Sequence, residues 1–275
     1  MGLSESVDRY VKHMLQDYKP VRVRGPKAFQ DPLYGTNLFY PHEVALIDTP
    51  LLQRLRQIFQ TGLAYYTYPS AVHNRFVHTL GVVVLATRYL QKLYENLQFE
   101  TSAGTKVSRG SPPSMDPLKG DLGLVRMSAL LHDVGHCFFS HTSEDIYKWD
   151  PELIKLVRED GPFAGCKAHE ILSYFIVTSE SFREFFENYV SREYKCEFNI
   201  KDVANLIIGS PPEDPDKAYL SEIINGYFDS DKLEYILRDG RTSGLSLTID
   251  LDRLFYKVIS RRFQDNKVRL VSLAT

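Results

Sequence analysis

A largely apolar stretch that ends in a histidine and an aspartate constrains the fold of this chain more than any other feature. Residues 124–131 are mostly apolar, and His132 and Asp133 follow them directly. Because a helix in the core holds the residues at its end in fixed positions, both polar side chains are expected inside a pocket. Gly135 permits close backbone approach and is expected to end the helix. The fold must therefore accommodate a polar pair at the end of an apolar helix.

Apolar residues recur at the helical period over most of the chain. Thr49 suits an N-cap and Pro50 the first helical position, which predicts a helix from there to Gly62. Further helices are predicted from Asn74 and over residues 124–131, 169–177, 182–190, 203–208 and 233–237. Short strands are predicted near residues 21–23, 38–40 and 268–273. The sequence therefore predicts a mainly α protein, a helical bundle with a few short peripheral β-strands.

One stretch interrupts the helical pattern. Residues 98–123 hold few large apolar side chains and contain Ser-Ala-Gly, Ser-Pro-Pro and Asp-Pro, which predicts an exposed loop insertion. No internal repeat is visible, and 275 residues suffice for one large domain or two small ones. We expect a single domain over residues 1–275.

Charge and cysteine content exclude several classes of protein. The 33 Lys and Arg against 35 Asp and Glu give a net charge of −2, which disfavours a dedicated duplex nucleic-acid binder. Three cysteines without a Cys-x-x-Cys motif argue against a disulfide framework or a thiolate zinc site. The sequence has neither an apolar leader nor an apolar run of membrane-spanning length. We expect a soluble cytoplasmic protein with no membrane association.

Histidines cluster in the middle of the chain. Six of the eight lie between positions 73 and 169, namely His73, His78, His132, His136, His141 and His169. Imidazole and carboxylate groups are the ligands that borderline divalent metals take in the absence of thiolates. Taken singly, each histidine is more often a satisfied core or surface residue, and this alternative stays open. The combination favours a metal site, because a buried polar cluster is costly without a metal or partners.

The motifs resemble those of the HD-domain phosphohydrolases, named for their His-Asp pair. The likeness is strongest to the branch that contains the SAM-and-HD-domain dNTP triphosphohydrolases. Besides His132-Asp133, it rests on residues 29–35, 47–56, Tyr65-Tyr66, Pro69, 73–81, 168–170 and 228–239, in that order along about nine-tenths of the chain. The resemblance implies an HD-domain helical fold and a metal-dependent phosphohydrolase.

The resemblance implies one metal ion held by His78, His132, Asp133 and Asp231. Such a set leaves open coordination positions for water and a phosphate oxygen. The ligand types suit Fe, Mn, Zn or Ni and do not choose among them, and Mg accompanying a nucleotide is a separate expectation.

The resemblance also implies the residues that act on the substrate. His136, His141 and His169 would line the substrate site, with His141 as general acid. Glu144 stands where close relatives carry an aspartate that orients this histidine, and its side chain is one methylene longer. Phosphate and sugar contacts would come from Arg75, Lys232, Tyr235, Asp239 and Gln60.

Some of these residues have simpler alternatives. Arg75 or Lys232 alone would be a solvated charge, and Tyr235 alone would more often be a core residue. A regulatory-nucleotide site, which the resemblance suggests, would involve Asp48, Gln53 and Arg56. The simpler explanation is favoured here, because Asp48 can cap the helix start and Arg56 can be an exposed helix charge.

The expected substrate is a nucleotide. The first hypothesis is a (deoxy)nucleoside triphosphate triphosphohydrolase that releases nucleoside and triphosphate. The first alternative is a nucleotidase or phosphodiesterase acting on nucleoside monophosphates, cyclic dinucleotides or nucleic-acid ends, and the second is a non-catalytic nucleotide-sensing module. The chain ends 36 residues after Asp239, whereas the relatives that it resembles continue with a segment that adds substrate contacts and supports oligomers. We therefore expect the N-terminal part of a longer protein or a pocket completed differently, and a homo-oligomer.

Overall fold

Helices form most of the structure. The computed structural model describes residues 2–102, 114–147 and 149–272. Its α-helices are α1 (Leu3–Leu15), α2 (Pro41–Ile47), α3 (Pro50–Gln53), α4 (Arg75–Ser102), α5 (Gly120–Leu131), α6 (Glu144–Tyr147), α7 (Pro151–Arg158), α8 (Ala168–Thr178), α9 (Glu180–Phe186), α10 (Arg192–Tyr194), α11 (Ile200–Ile207), α12 (Tyr219–Ile224), α13 (Ser230–Thr242) and α14 (Leu251–Lys257). The prediction of a mainly α fold is confirmed.

The strands form two separate antiparallel hairpins. The first pairs β1 (Lys27–Asp31) with β2 (Gly35–Phe39), and the second pairs β3 (Val258–Arg262) with β4 (Val268–Ser272). Two predicted strands fall on β2 and β4. The strand predicted at 21–23 is wrong: Val21 is 79% exposed, and the Val23 N–H donates to the Tyr194 hydroxyl instead of to a neighbouring strand.

The core surrounds α4. This helix packs against α5 on one side and α13 on another, while α5 and α8 both contact α11. Val82, Val83, Leu85 and Ala86 of α4 are completely buried, because the helix has neighbours on several faces. A helix apolar on most sides suits this central position.

The structure corrects two predicted boundaries. The predicted helix from Pro50 ends at Gln53 and continues as a 3-10 turn, Arg54–Gln57, in which Arg54 donates to the His136 carbonyl at 2.7 Å. The predicted loop over 98–123 is wrong at both ends, because α4 extends to Ser102 and α5 begins at Gly120 with its side chains buried. Residues 103–113 of that prediction lie outside the described part of the chain.

Two glycines let elements around the site approach closely. A Cβ at Gly81 would lie 2.2 Å from Glu234 Oε1, so a glycine is needed where α4 meets α13. A Cβ at Gly135 would lie 2.2 Å from the His169 carbonyl oxygen, so the turn after α5 can pack on α8. α5 ends at Leu131, four residues before Gly135, with His132 as its C-cap.

Across the part of the chain that the structure describes, no helix combines the length and the apolarity that crossing a bilayer requires.

Candidate active site

Three helices supply the predicted metal ligands. His78 lies in the first turn of α4, His132 and Asp133 follow the last residue of α5, and Asp231 lies in the first turn of α13. Since α4 packs against both other helices, residues far apart in the sequence meet at one point. We call these four residues the buried cluster.

The side chains of the buried cluster converge. His78 Nε2 lies 3.0 Å from Asp231 Oδ1 and 3.7 Å from Asp133 Oδ2. His132 Nε2 lies 3.4 Å from Asp133 Oδ1 and 3.7 Å from Asp231 Oδ1. Ligand atoms of His78, His132 and Asp231 all lie within 4.8 Å of one another. His78, His132 and Asp231 can therefore face one small ion, and Asp133 lies beside this group with its Oδ2 bonded to Arg75.

The two histidines present their Nε2 atoms to this point. His78 Nδ1 is 2.5 Å from Glu234 Oε2, and His132 Nδ1 is 2.7 Å from the Ala129 carbonyl oxygen. Both acceptors fix a ring proton on Nδ1, so Nε2 is the nitrogen that can bind either a proton or a metal ion. Both Nε2 atoms face the carboxylates of Asp133 and Asp231. Lone pairs aimed at carboxylate oxygens repel one another unless a cation lies between them, so the donor set fits a divalent metal.

The electrostatics of the buried cluster also favour a cation. Burial lowers the pKa of His78, but Glu234, Asp231 and Asp133 outweigh burial and raise it to about 10. Burial raises the pKa of Asp231, but the hydrogen bonds and charges of His132 and His78 hold it well below its usual value. The carboxylates therefore stay ionised, and their field stabilises positive charge at this point.

A second group of titratable residues adjoins the first. Ligand atoms of His136, His141, Glu144 and His169 lie within 4.8 Å of one another, and we call these residues the histidine-glutamate cluster. Glu144 Oε1 accepts from His169 Nδ1 and lies 3.2 Å from His141 Nδ1. The His136 ring stacks on that of His169 at 3.8 Å between centroids. All four residues predicted to act in catalysis thus come together.

Exposure changes sharply across the histidine-glutamate cluster. His136 is 1% exposed, whereas the His141 side chain is 61% exposed. Burial, His169 and Arg75 hold the pKa of His136 well below its usual value, so this imidazole is neutral at neutral pH. Burial raises the pKa of Glu144, but its hydrogen bonds to His141 and His169 outweigh burial and hold it well below its usual value. His141 therefore combines access to the pocket with a carboxylate that lies 3.2 Å from its Nδ1.

Arg75 connects the two clusters. Its guanidinium donates to Asp133 Oδ2 at 2.6 Å and to Ser140 Oγ at 3.1 Å, and Nη2 lies 3.4 Å from His141 Nε2. The residue is only 2% exposed, although it lines the pocket. Burial raises the pKa of Asp133. The adjacent Arg75 guanidinium helps to outweigh burial, so this pKa stays well below its usual value. Contact between Arg75 and a phosphate stays a prediction. The same guanidinium is also bonded to Asp133 and Ser140.

The two carboxylates of the buried cluster and the three histidines of the histidine-glutamate cluster line one cavity of about 340 Å³. Its lining brings together most of the predicted site, namely Gln60, Arg75, Asp133, His136, His141, His169, Asp231, Tyr235 and Asp239, with Thr61, Gly62, Thr142 and Lys167. This volume lies in the usual range for a small-molecule site. The cavity is therefore large enough for a substrate that contacts both clusters.

One end of the cavity is suited to hydroxyl groups. Gln60 Oε1 is buried and has no hydrogen-bond partner. Tyr235 and Asp239 follow Asp231 along one stripe of α13, and Asp239 Oδ1 lies 2.7 Å from His73 Nε2. These acceptors match the predicted sugar contacts, which stay a prediction.

Of the predicted substrate contacts, Lys232 lies outside the 340 Å³ cavity and lines a small neighbouring cavity with His132 and Asp231. Its Nζ donates to Asp229 Oδ2 at 2.6 Å and to the Gly226 carbonyl. Three unpredicted residues also take part: Lys167, Ser140 and Glu234. Lys167 and Glu234 lie beside or inside segments that carry the family resemblance, and their spacing from His169 and Asp231 could have indicated them.

The residues considered for a regulatory nucleotide lie outside this cavity. Asp48 pairs with Lys27 Nζ at 2.7 Å. Arg56 donates to Gln53 Oε1 at 2.8 Å, and its guanidinium lies 3.6 Å from the Phe76 ring centroid. A regulatory role for them stays a prediction.

Known proteins share these features. The HD domain family matches residues 75–225. A hypothetical protein from Aquifex aeolicus of known crystal structure is 31% identical, with a TM-score of 0.57 over 88% of this chain and 53% of that chain. An uncharacterised protein of Methanocaldococcus jannaschii, MJ1154, is 28% identical over 84% of this chain and 38% of its own length.

Two further relatives have a named activity. The deoxynucleoside triphosphate triphosphohydrolase SAMHD1 of Bos taurus is 30% identical over 82% of this chain, and that of Gallus gallus is 31% identical over 83%. The alignments span only 37% and 36% of those proteins. The match over more than half of the chain, together with the converging ligands, shows that the chain belongs to the HD domain family, in the branch that includes the SAMHD1 proteins.

Proposed function

We propose that this chain is a metal-dependent hydrolase of (deoxy)nucleoside triphosphates that releases nucleoside and inorganic triphosphate. One observation carries the proposal: the carboxylates of the buried cluster and the histidines of the histidine-glutamate cluster line the same cavity. A cation site beside a proton donor is the arrangement that hydrolysis of a phosphate ester requires. Relatives named as deoxynucleoside triphosphate triphosphohydrolases support the choice of substrate.

His78, His132, Asp133 and Asp231 would hold the metal ion. When bound, an Fe, Mn, Zn or Ni ion lowers the pKa of a coordinated water and neutralises phosphate charge. Mg accompanying the nucleotide would be a separate ion. Glu234 orients His78, because it accepts the Nδ1 proton and leaves Nε2 directed at the ion.

In the proposed reaction, water adds to the α-phosphorus and the bond between that phosphorus and O5′ breaks. The water oxygen stays on the triphosphate, one water proton is released to solvent, and O5′ takes a proton from His141. Glu144 Oε1, which lies 3.2 Å from His141 Nδ1, would orient the His141 ring. Neutral His136 and the adjacent His169 would donate hydrogen bonds to phosphate oxygens.

The sugar would lie toward Gln60, Tyr235 and Asp239. Gln60 Oε1 and the Asp239 carboxylate are acceptors that suit ribose or deoxyribose hydroxyl groups, and the unpartnered Gln60 oxygen would gain a hydrogen bond. A homo-oligomer stays part of the proposal, with the mass measured in solution as its test.

Product analysis tests the proposed function. Metal-reconstituted protein is incubated with NTPs, dNTPs, NMPs and cyclic dinucleotides, and products are identified by mass. We expect nucleoside and inorganic triphosphate from a triphosphate substrate. Orthophosphate or a cleaved diester would favour a nucleotidase or phosphodiesterase, and binding without turnover would favour a sensing module. The Asp231→Asn variant, purified in the same way, controls for contaminating phosphatases.

A further inference from the structure

One of the six histidines in the middle of the chain belongs to neither cluster. His73 does not line the 340 Å³ cavity, but it contacts two residues that do. Its backbone carbonyl accepts from the Gln60 N–H at 3.0 Å, and its Nε2 lies 2.7 Å from Asp239 Oδ1. Gln60 and Asp239 are two of the proposed sugar contacts. A single residue that is itself outside the cavity therefore connects both of them.

The backbone around His73 fixes the position of Gln60. The segments at 58–60 and 73–75 run antiparallel, and Arg75 N–H donates to the Ile58 carbonyl at 2.8 Å, beside the bond between Gln60 and His73. Because Arg75 is the first residue of α4, this pairing attaches Gln60 to the start of the central helix. The amide end of Gln60 is buried, and its Oε1 has no hydrogen-bond partner.

The ring of His73 is held at both nitrogens by α13. Nε2 carries the proton of the bond to Asp239, because a carboxylate oxygen can only accept. Nδ1 lies 3.2 Å from Thr242 Oγ1, whose hydroxyl lies 2.9 Å from the Arg238 carbonyl oxygen and can donate to it. The His73 side chain is 8% exposed. A buried ring with a contact at each nitrogen keeps one orientation and fixes the carboxylate that it contacts.

The bond to His73 uses one of the two Asp239 carboxylate oxygens. Over residues 2–102, 114–147 and 149–272, His73 is the side chain that donates to this carboxylate, and it does so at Oδ1. Oδ2 is left to accept from a ligand, and the Asp239 side chain is 31% exposed. Since His73 contacts both residues, Asp239 Oδ2 and the unpartnered Gln60 Oε1 belong to the same end of the cavity.

We propose that His73 is a positioning residue for recognition of the sugar in this cavity. Its ring holds Asp239 so that Oδ2 accepts from the 3′-hydroxyl, which ribose and deoxyribose share, and its backbone holds Gln60 beside that carboxylate. The inference rests on the proposed function, since it assumes that the cavity takes a nucleotide. Without His73 the ligand itself would have to order the Asp239 side chain, and that ordering would weaken binding.

Two nucleotides that differ only in the 3′-hydroxyl test this assignment. Isothermal titration of metal-loaded protein measures Kd for a deoxynucleoside triphosphate and for its 2′,3′-dideoxy analogue, in the His141→Gln background where hydrolysis is expected to be slow. With His73 present, the deoxynucleotide should bind about 10- to 100-fold more tightly, as expected for a hydrogen bond to a charged group. In His73→Leu this ratio should fall about fivefold, because one side chain must then be ordered on binding.

Matched variants separate positioning of the carboxylate from support of the fold. His73→Gln retains an N–H donor and should keep most of the ratio. His13→Gln changes an exposed histidine of α1 and should leave the ratio as it is. In an Asp239→Ala background, His73→Leu should not lower the ratio further, because the residue through which His73 acts is gone. Each ratio is taken within one variant, so partial unfolding does not change it.

Three results would overturn the assignment. The first is a His73→Leu variant that binds both nucleotides more weakly by the same factor, which is what support of the fold alone predicts. The second is an equal fall of the ratio in His13→Gln, or a further fall caused by His73→Leu in the Asp239→Ala background. The third is the absence of any preference for the deoxynucleotide when His73 and Asp239 are both present.

The two proposals fail in different ways. If the ratio depends on His73 but the wild-type protein hydrolyses neither nucleotide, the proposed function is wrong and the His73 assignment stands. If the wild-type protein releases triphosphate from nucleotides and His73→Leu leaves the ratio of the two KM values unchanged, the assignment is wrong and the proposed function stands. Binding of neither nucleotide would overturn both.

Discussion

The buried cluster and the histidine-glutamate cluster are built from histidines and carboxylates and both contribute side chains to the same cavity, yet their environments differ. In the buried cluster, His78 and His132 have Nε2 atoms that face two carboxylates. In the histidine-glutamate cluster, one carboxylate contacts the Nδ1 atoms of two histidines, and the His141 side chain is 61% exposed. In the first, two carboxylates face two buried imidazole nitrogens, and in the second, one carboxylate contacts a histidine that reaches solvent.

The difference shows that hydrogen bonding and exposure, rather than residue type, distinguish a set of residues suited to a cation from one suited to proton transfer. Where Nδ1 is fixed by Glu234 or a carbonyl and carboxylates face Nε2, the set suits a cation. Where a carboxylate stabilises Nδ1 and Nε2 faces the pocket, the histidine suits proton transfer. Four predictions, from the largest expected effect to the smallest, can break or sharpen this comparison.

The largest effect is expected for Asp231→Asn. Loss of this carboxylate removes a ligand and half of the negative charge that faces the two Nε2 atoms, so metal content should fall from about one ion per chain to near zero and turnover should fall to background. Asp231 contacts the histidines and is 24% exposed at its side chain, so folding should be kept. Elemental analysis after gel filtration measures the outcome. Full metal occupancy in the folded variant would remove Asp231 from the ligand set.

His141→Gln should slow the chemical step and spare the metal. Loss of a general acid reduces kcat by about 10²- to 10⁴-fold, while an exposed position should leave thermal stability unchanged. The measurement is single-turnover kinetics together with metal content. A variant that loses its metal, or one that keeps full kcat, would contradict the separation of the two clusters.

Glu234→Gln should weaken the metal without removing it. The glutamine keeps the shape of the side chain but not the charge that holds the His78 proton, and loss of such a partner weakens metal affinity about 10- to 100-fold. Competition with a chelator gives the affinity for the metal. Thermal melting of the metal-free protein reports any loss of stability caused by weakening the ion pair between Glu234 and Arg238. An affinity equal to wild type would show that Glu234 does not orient His78.

The smallest effect concerns His42, a histidine outside both clusters. His42 is fully buried, its ring stacks on that of Tyr40, and burial lowers its pKa below 6.5. Because the folded pKa is the lower one, the unfolded chain takes up more protons as pH falls below about 6.5, and stability decreases. His42→Phe should lose less stability than wild type between pH 7.5 and pH 5.5 in urea unfolding. An identical loss would show that His42 does not contribute.

Much of this architecture can be predicted from the sequence, because short motifs carry it. The family resemblance implied His78, His132, Asp133 and Asp231 as metal ligands. In the structure, ligand atoms of His78, His132 and Asp231 lie within 4.8 Å of one another, and Asp133 Oδ2 lies 3.7 Å from His78 Nε2. The helices around them follow from the apolar period. These features depend on local spacing and on residue types with specific chemistry.

What could not be predicted depends on side-chain direction and distant partners. Lys232 follows Asp231 in the sequence, and only the three-dimensional structure shows that its ammonium group is bonded to Asp229. The Arg75 guanidinium is bonded to Asp133 and Ser140, which are 58 and 65 residues away in the sequence. The strand at 21–23 failed because strand formation requires a partner strand, and local propensity does not supply one.

Anomalous diffraction from crystals of the metal-reconstituted protein tests the central claim most directly. Data collected at the absorption edge of the added metal should show one strong peak per chain, bounded by the Nε2 atoms of His78 and His132 and the carboxylates of Asp133 and Asp231. A peak among His136, His141, Glu144 and His169 with none at the buried cluster would contradict the account, because the two clusters would then have exchanged roles.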